Sequence, residues 1–182
     1  IHFIDLKNKK LPSRARRKVR IDNIIYSAVR PNQRHFGIIK SKPENFLVST
    51  GFVVIDVDTN ILNADFLYYL LTQNIFVDAL HAIAEQSTSA YPAIKPSDIE
   101  NLEIEIPDLA IQKKIAEILN SLDKKIAKNA EINKNLFEQA QLLYKTRFVD
   151  MQPFDGLMPT DWHLGTVNEI IELHDSKRIP LS

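Results

Sequence analysis

The chain contains no cysteine, which removes disulfide frameworks and thiolate metal sites at once. A reducing setting such as the cytoplasm is the compartment expected for it. Glycine is nearly as scarce: Gly37, Gly51, Gly156 and Gly165 are the only four in 182 residues, and none belongs to a glycine-rich phosphate loop. Apolar runs such as residues 66–71 are far too short to cross a bilayer, so no membrane partner is expected, and no signal peptide is recognisable. The histidines (His2, His35, His81, His163 and His174) lack paired ligand spacing, which leaves no metal site to assign. No Asn/Asp-Pro-Pro-Tyr-like run is present to hold a flipped adenine, so methyl transfer by this chain is not expected. Pro107-Asp108 followed by Asp123-Lys124-Lys125 imitates a nuclease signature. On a helix, however, those acids stand more than ~20 Å apart. No catalytic residue is assigned.

What is present is a charge asymmetry hidden under a net charge of zero. Residues 1–42 hold 12 of the 23 Lys and Arg, with only Asp5 and Asp22 against them. Such a cluster is the electrostatic footprint of a surface that meets phosphates. A solvated basic loop or an anionic-lipid patch is the plainer alternative. Arg outnumbers Lys within residues 14–34, and Arg suits bidentate contact with phosphate or guanine. Arg30, Gln33, Arg34 and His35, in a turn started by Pro31, are the first candidates for DNA contact, with Gln33 as an adenine reader. Arg14, Arg16, Arg17 and Lys18 follow as positioning contacts, and Arg20 and Lys40 complete the candidate set. The 86–89 loop is a further approach point, Tyr91 reads equally as core or contact, and Trp162 reads as core.

Hydrophobic content of 45% marks a globular chain. Residues 1–6, 19–29, 36–40, 46–50 and 51–57 read as strands, although the apolar pair at Ile24-Ile25 spoils clean alternation in the second. Residues 7–18 read as a basic loop, and 42–45 as a turn. Residues 63–84 carry helical spacing, with Asn63 or Asp65 as cap. Residues 102–106 alternate apolar and polar like a half-buried strand. The expected fold class is α+β: a mostly antiparallel β portion followed by a long helix.

That helix opens where Pro107 ends the strand and Asp108 can cap. No Gly or Pro interrupts the chain from there to Pro153. A stripe of Ile111, Ile115, Ile118, Leu122, Ile126, Asn129, Asn133, Leu136, Ala140 and Leu143 follows steps of three and four residues, beside a charged opposite face. Over residues 109–148 the helix would be roughly 60 Å long. A stripe that long reads as a coiled-coil spacer, in which Asn129 and Asn133 fix register.

The order IIYSAVRPNQRHFGII, ENFLVSTGFVVI, FLYYLL, STSAYPAIKPSDIENLEIEIP and LAIQKKIAEILNSLDKKI resembles the specificity subunit of type I restriction–modification systems. Its most specific part is Pro107, Leu109, Gln112, Ile115 and Leu119, the P-x-L-x-x-Q-x-x-I-x-x-x-L pattern. Two departures stand out: Asp22-Asn23 where the family commonly has Gly-Asp, and Ile111 where it commonly has Glu. The resemblance implies that residues 1–108 are the C-terminal part of a target-recognition domain and 109–148 a conserved spacer helix. Residues 149–182 would then be a linker and the start of a second recognition domain. The first residue is Ile and the chain opens in a basic segment, so it is expected to begin inside a domain.

By the same resemblance, the chain recognises half of a split site in double-stranded DNA and sets half-site spacing. It would bind modification (methylation) subunits and a restriction subunit, with a homodimer through the long helix as a further possibility. It would hold no cofactor itself, since S-adenosylmethionine and ATP belong to the partner subunits. Two other readings stay open: a recognition segment of a single-chain restriction–methyltransferase, and a coiled-coil interaction protein with a basic head.

Overall fold

The computed structural model describes residues 12–41, 46–86 and 91–172. The strand expected at 1–6, the turn at 42–45 and most of the 86–89 loop lie outside these. The chain divides into two compact units, Ile1–Ile126 and Ala127–Ser182, and the long helix contributes to both.

In the first unit, β1 (Ala15–Lys18) pairs antiparallel with β4 (Leu47–Ser49). A second, three-stranded antiparallel sheet runs β3–β2–β5, made of Phe36–Ile38, Ile24–Ser27 and Phe52–Ile55. Register places Ile24 opposite both Ile38 and Ile55, and Tyr26 opposite Phe36 and Val53. Strand β2 explains its own broken alternation, because both of its faces are covered. Ile24 and Tyr26 pack with Leu67, Leu71, Leu80, Ala84 and Ile94, while Ile25 packs with Val19, Ile39 and Val48. Ile24 is fully buried; burying such a side chain stabilises by about 1.5–3 kcal/mol. The Tyr26 ring stacks on Phe36 at 5.3 Å, and burial, against the opposing pull of Arg34, pushes its phenol up to about 12.

Four expectations need correction. The basic segment is not all loop: β1 lies within it, because a strand of Arg and Lys can pair through its backbone while its side chains stay in water. The helix expected over 63–84 is two helices, α1 (Ala64–Leu71) and α2 (Asn74–Glu85), separated where Gln73 takes extended backbone at ψ 150°. Residues 102–106 form no strand and join no ladder, since alternation reports which face is buried and not who supplies the hydrogen bonds. They and β5 flank an open cleft of about 380 Å³ that reaches Leu67 and Leu71. Trp162 is 39% exposed, with one face on Phe148, rather than a core residue.

Caps fall where short polar side chains allow. Asn63 Oδ1 accepts from Phe66 N at 2.9 Å to start α1, and Asp108 Oδ1 accepts from Ile111 N at 3.0 Å to start the long helix. The short α3 (Pro96–Glu100) has Pro in its first turn, and Asp98 accepts from the Lys95 amide at 2.7 Å. Asp22, at the position where the family commonly has glycine, is left-handed at φ 66°. A non-glycine residue there costs roughly 1–2 kcal/mol. Lys40 offsets part of this with a 2.7 Å ion pair to the same aspartate.

The helix α4 runs Leu109–Tyr144 without interruption and then widens into a π-helical turn, Lys145–Val149. At 36 residues it is about 54 Å long. In the second unit, Lys145 Nζ closes the turn on Asp150 at 2.7 Å, and Tyr144, Phe148 and Trp162 follow one another at ring separations of 5.2 and 6.2 Å. Gly156, at φ 78°, completes a tight turn by donating its amide to Met151 O at 3.0 Å.

Candidate nucleic-acid interface

Backbone hydrogen bonds gather several of the predicted basic residues at one end of the first unit. Thr50 N donates to Arg14 O and Ala28 N to Gly51 O, both at 2.8 Å. Ile94 N then donates to Ala28 O at 2.8 Å and Arg30 N to Pro92 O at 2.9 Å. The start of β1, the 50–51 turn, residues 28–30 and residues 92–94 therefore lie side by side. Arg14 and Arg16 are exposed there, with Arg16 Nε donating to Ser13 O at 2.7 Å.

The loop that follows β2 is held from both sides. Residues Pro31–Gln33 make one 3-10 turn flanked by Arg30 and Arg34, both left-handed at φ 50° and 56°. Gln33 N donates to Arg30 O at 2.9 Å and Arg34 N to Pro31 O at 3.0 Å. Pro31 is fully buried beneath the turn. The Arg30 guanidinium lies 5.8 Å over the Tyr91 ring, while Arg34 donates to Thr72 O at 3.2 Å and to Asn74 Oδ1. Asn32, Gln33 and His35 are exposed.

The other end of β2 is different. Register sets Ile55 beside Ile24, so Asp56 lies beyond the strand's start with Asp22 and Asn23, far from the Arg30 loop. Arg20 pairs with Asp56 at 3.5 Å, and buried Asn23 accepts from Arg20 N and donates to Asp56. Lys40 sits between Asp22 (2.7 Å) and Asp65 (2.8 Å). Partial burial pushes its ammonium pKa down, but hydrogen bonds to the two carboxylates push harder, and the net direction is up. The predicted set thus splits. Arg14, Arg16, Arg30, Gln33, Arg34 and His35 share one end. Lys18 is exposed farther along β1, Arg17 lines the cleft beside Glu100, and Arg20 and Lys40 are engaged by acids.

Helix α4 is bolted to the domain by a face next to its predicted stripe. Gln112 is completely buried. Its Oε1 accepts from Asn63 N at 2.8 Å, and its Nε2 donates to Pro107 O at 2.8 Å and Ile61 O at 3.1 Å. Ala116, one turn on, is buried and small enough for close approach. Next, the Tyr69 hydroxyl donates to Asp123 Oδ2 at 2.8 Å and approaches Asn120 Oδ1 at 3.0 Å. Burial, and then the Asp123 carboxylate, push the Tyr69 phenol strongly up. The stripe itself faces water: Ile111, Ile115, Ile118, Leu122 and Ile126 are exposed, and so are Asn129, Asn133, Leu136, Ala140 and Leu143 in the helix's later part. Asn63 is legible as a cap, as the Phe66 amide on its Oδ1 shows, but its amide's bond to Gln112 is not, nor are the Tyr69 contact, the exposed Asn32 side chain or the burial of Gln112. The signal for the seam was there in the uncharged spacing Gln112, Ala116, Leu119, Asn120 within a lysine-rich helix.

Among the described residues no cluster of three or more potential ligands could hold a metal ion, and no helix is long and apolar enough to cross a membrane.

An antiparallel domain with a cationic end, and a long helix docked at its side, define the architecture. Residues 6–138 match the family model described as the type I restriction modification DNA specificity domain, and the chain belongs to that family. It is 36% identical over 145 residues to the Type I restriction enzyme HindI specificity subunit of Haemophilus influenzae, covering 80% of this chain and 32% of that protein. Against the MjaIX specificity subunit of Methanocaldococcus jannaschii, identity is 27% over 128 residues, covering 64% and 29%. The chain spans about a third of the length of these curated relatives. The solved HsdS subunit from Thermoanaerobacter tengcongensis superposes with a TM-score of 0.57 at 25% identity, covering 75% of this chain and 35% of that one. The fold is therefore α+β and like that of HsdS.

Proposed function

We propose that this chain is the DNA-reading part of a type I restriction–modification specificity subunit, without catalytic chemistry of its own. The observation that carries the reading is the separation of its cations. Backbone ladders bring Arg14 and Arg16 beside the Arg30–His35 loop with no carboxylate paired to them among the described residues, while Asp22, Asp56 and Asp65 take up Arg20 and Lys40 at the far end. Cations left unpaired on one surface suit a polyanion, and exposed amides beside them suit base edges. The exposed stripe of α4 supports pairing with a second helix, from a neighbouring module or from a second copy of the chain. Modification subunits carrying S-adenosylmethionine and an ATP-driven restriction subunit would then act at the address this chain selects, in the cytoplasm. Duplex binding measured in the assembled complex at two salt concentrations tests the reading. Affinity falling steeply with salt is expected, and salt-indifferent or absent binding refutes it.

A further inference from the structure

Of the two left-handed arginines around the Pro31–Gln33 turn, each occupies a conformation that a non-glycine residue adopts only when its surroundings force it. The forcing contacts are all on the protein. Arg34 forks onto Thr72 O and Asn74 Oδ1, across the break between α1 and α2. Arg30 lies on Tyr91, with its amide held by Pro92 O. Pro31 is buried, and His35 O accepts from Ser27 N at 2.9 Å at the loop's exit. The side chains at the tip are the reverse case. Asn32 and Gln33 are exposed and make no side-chain hydrogen bond among the described residues.

From this arrangement we infer that Asn32 and Gln33 are the specificity-determining side chains, reading adenine edges in the major groove, while Arg34 is a positioning residue that holds the loop rather than a phosphate contact. The chemistry favours this division. An amide side chain presents an N–H donor beside a carbonyl acceptor, the pair that adenine N7 and N6 complement. A guanidinium forked onto a carbonyl and an amide oxygen has a donor from each terminal nitrogen committed to positioning. Strain of roughly 1–3 kcal/mol at each left-handed site is what a loop fixed before binding would carry. A fixed loop then loses little freedom when DNA arrives.

The inference rests on the DNA-reading function proposed above, and selection from a randomised duplex library by the assembled complex separates the two. Asn32→Ala and Gln33→Ala are each expected to lower discrimination at one or two adenine-bearing positions by roughly 5- to 150-fold, the worth of one bidentate base contact. Their salt slope should stay that of wild type. Arg34→Ala should flatten base preference at those same positions and leave the salt slope unchanged, whereas a lost phosphate contact would lower it by about 0.9. If both tip variants keep the wild-type preference, or if Arg34→Ala lowers the slope with preference intact, the inference is overturned. A wild-type complex with no base preference overturns the parent reading as well.

Discussion

Replacing Gln112 by Leu tests whether α4 is held to the domain by hydrogen bonds or by packing alone. The two side chains are close in volume, so little cavity is created. The change strips partners from Asn63 N, Pro107 O and Ile61 O. A fully buried group left unpaired costs roughly 1–3 kcal/mol. Asn63 and Pro107 are half-buried and Ile61 is exposed, so the Ile61 carbonyl can turn to water. About 2–4 kcal/mol remains as the expected loss, and it should be local. Hydrogen exchange at the Asn63 amide reads it directly: exchange should accelerate by a factor of tens to hundreds, while amides of β2 change far less. Gln112→Glu adds a signed test in pH. Its carboxylate would face two carbonyl oxygens, so its folded pKa should rise above the unfolded value of about 4.3. The variant should then be most stable below that value and lose stability as pH rises towards neutrality. A Gln112→Leu variant with wild-type exchange at Asn63, or a Gln112→Glu variant as stable at neutral pH as in acid, would refute the hydrogen-bonded seam.

Further tests address the other features. Tyr26, whose hydroxyl is buried without a hydrogen-bond partner among the described residues, has its phenol raised from 10.0 to about 12 by burial. Its contribution to stability is complete below pH 10 and disappears as pH climbs to about 12, a loss of roughly 2–3 kcal/mol. Tyr26→Phe should remove that share of the alkaline loss from denaturation curves, leaving the share of Tyr69, and keep neutral-pH stability within about 1 kcal/mol. Lys40→Met should cost roughly 1 kcal/mol in unfolding experiments with no change in the salt dependence of DNA binding. Arg14→Ala should show the converse, lowering the salt slope by about 0.9 at unchanged melting temperature. Ile118→Asp with Ile126→Asp, both on the exposed stripe, should leave the domain's stability within about 0.5 kcal/mol while sedimentation shows helix-mediated association lost.

Those contrasts mirror what could and could not be read from residues alone. The start of the long helix was legible because Pro107 and Asp108 act locally, one by lacking a donor and the other by accepting the Ile111 amide. The strands at Ile24–Ser27 and Phe52–Ile55 announced themselves through β-branched residues. The break between α1 and α2 did not, since Thr72 and Gln73 carry no strong stop signal and tertiary packing decides where the chain turns. Nor could the basic cluster be sorted in advance. Which cations stay unpaired depends on the sheet register, which carries Asp56 to Arg20 and leaves Arg14 beside the Arg30 loop. Left-handed Arg30 and Arg34 are equally silent in sequence, for their side chains report nothing of backbone strain until their anchors are in place.

Adjacent faces of α4 are separate surfaces: one clasps Asn63 and Tyr69, and the neighbouring one presents bare isoleucines. Because few atoms are common to both, mutational drift along the isoleucine row can trade one companion for another without loosening the anchorage. Such a helix can be grafted into new assemblies while its parent domain keeps the same footing.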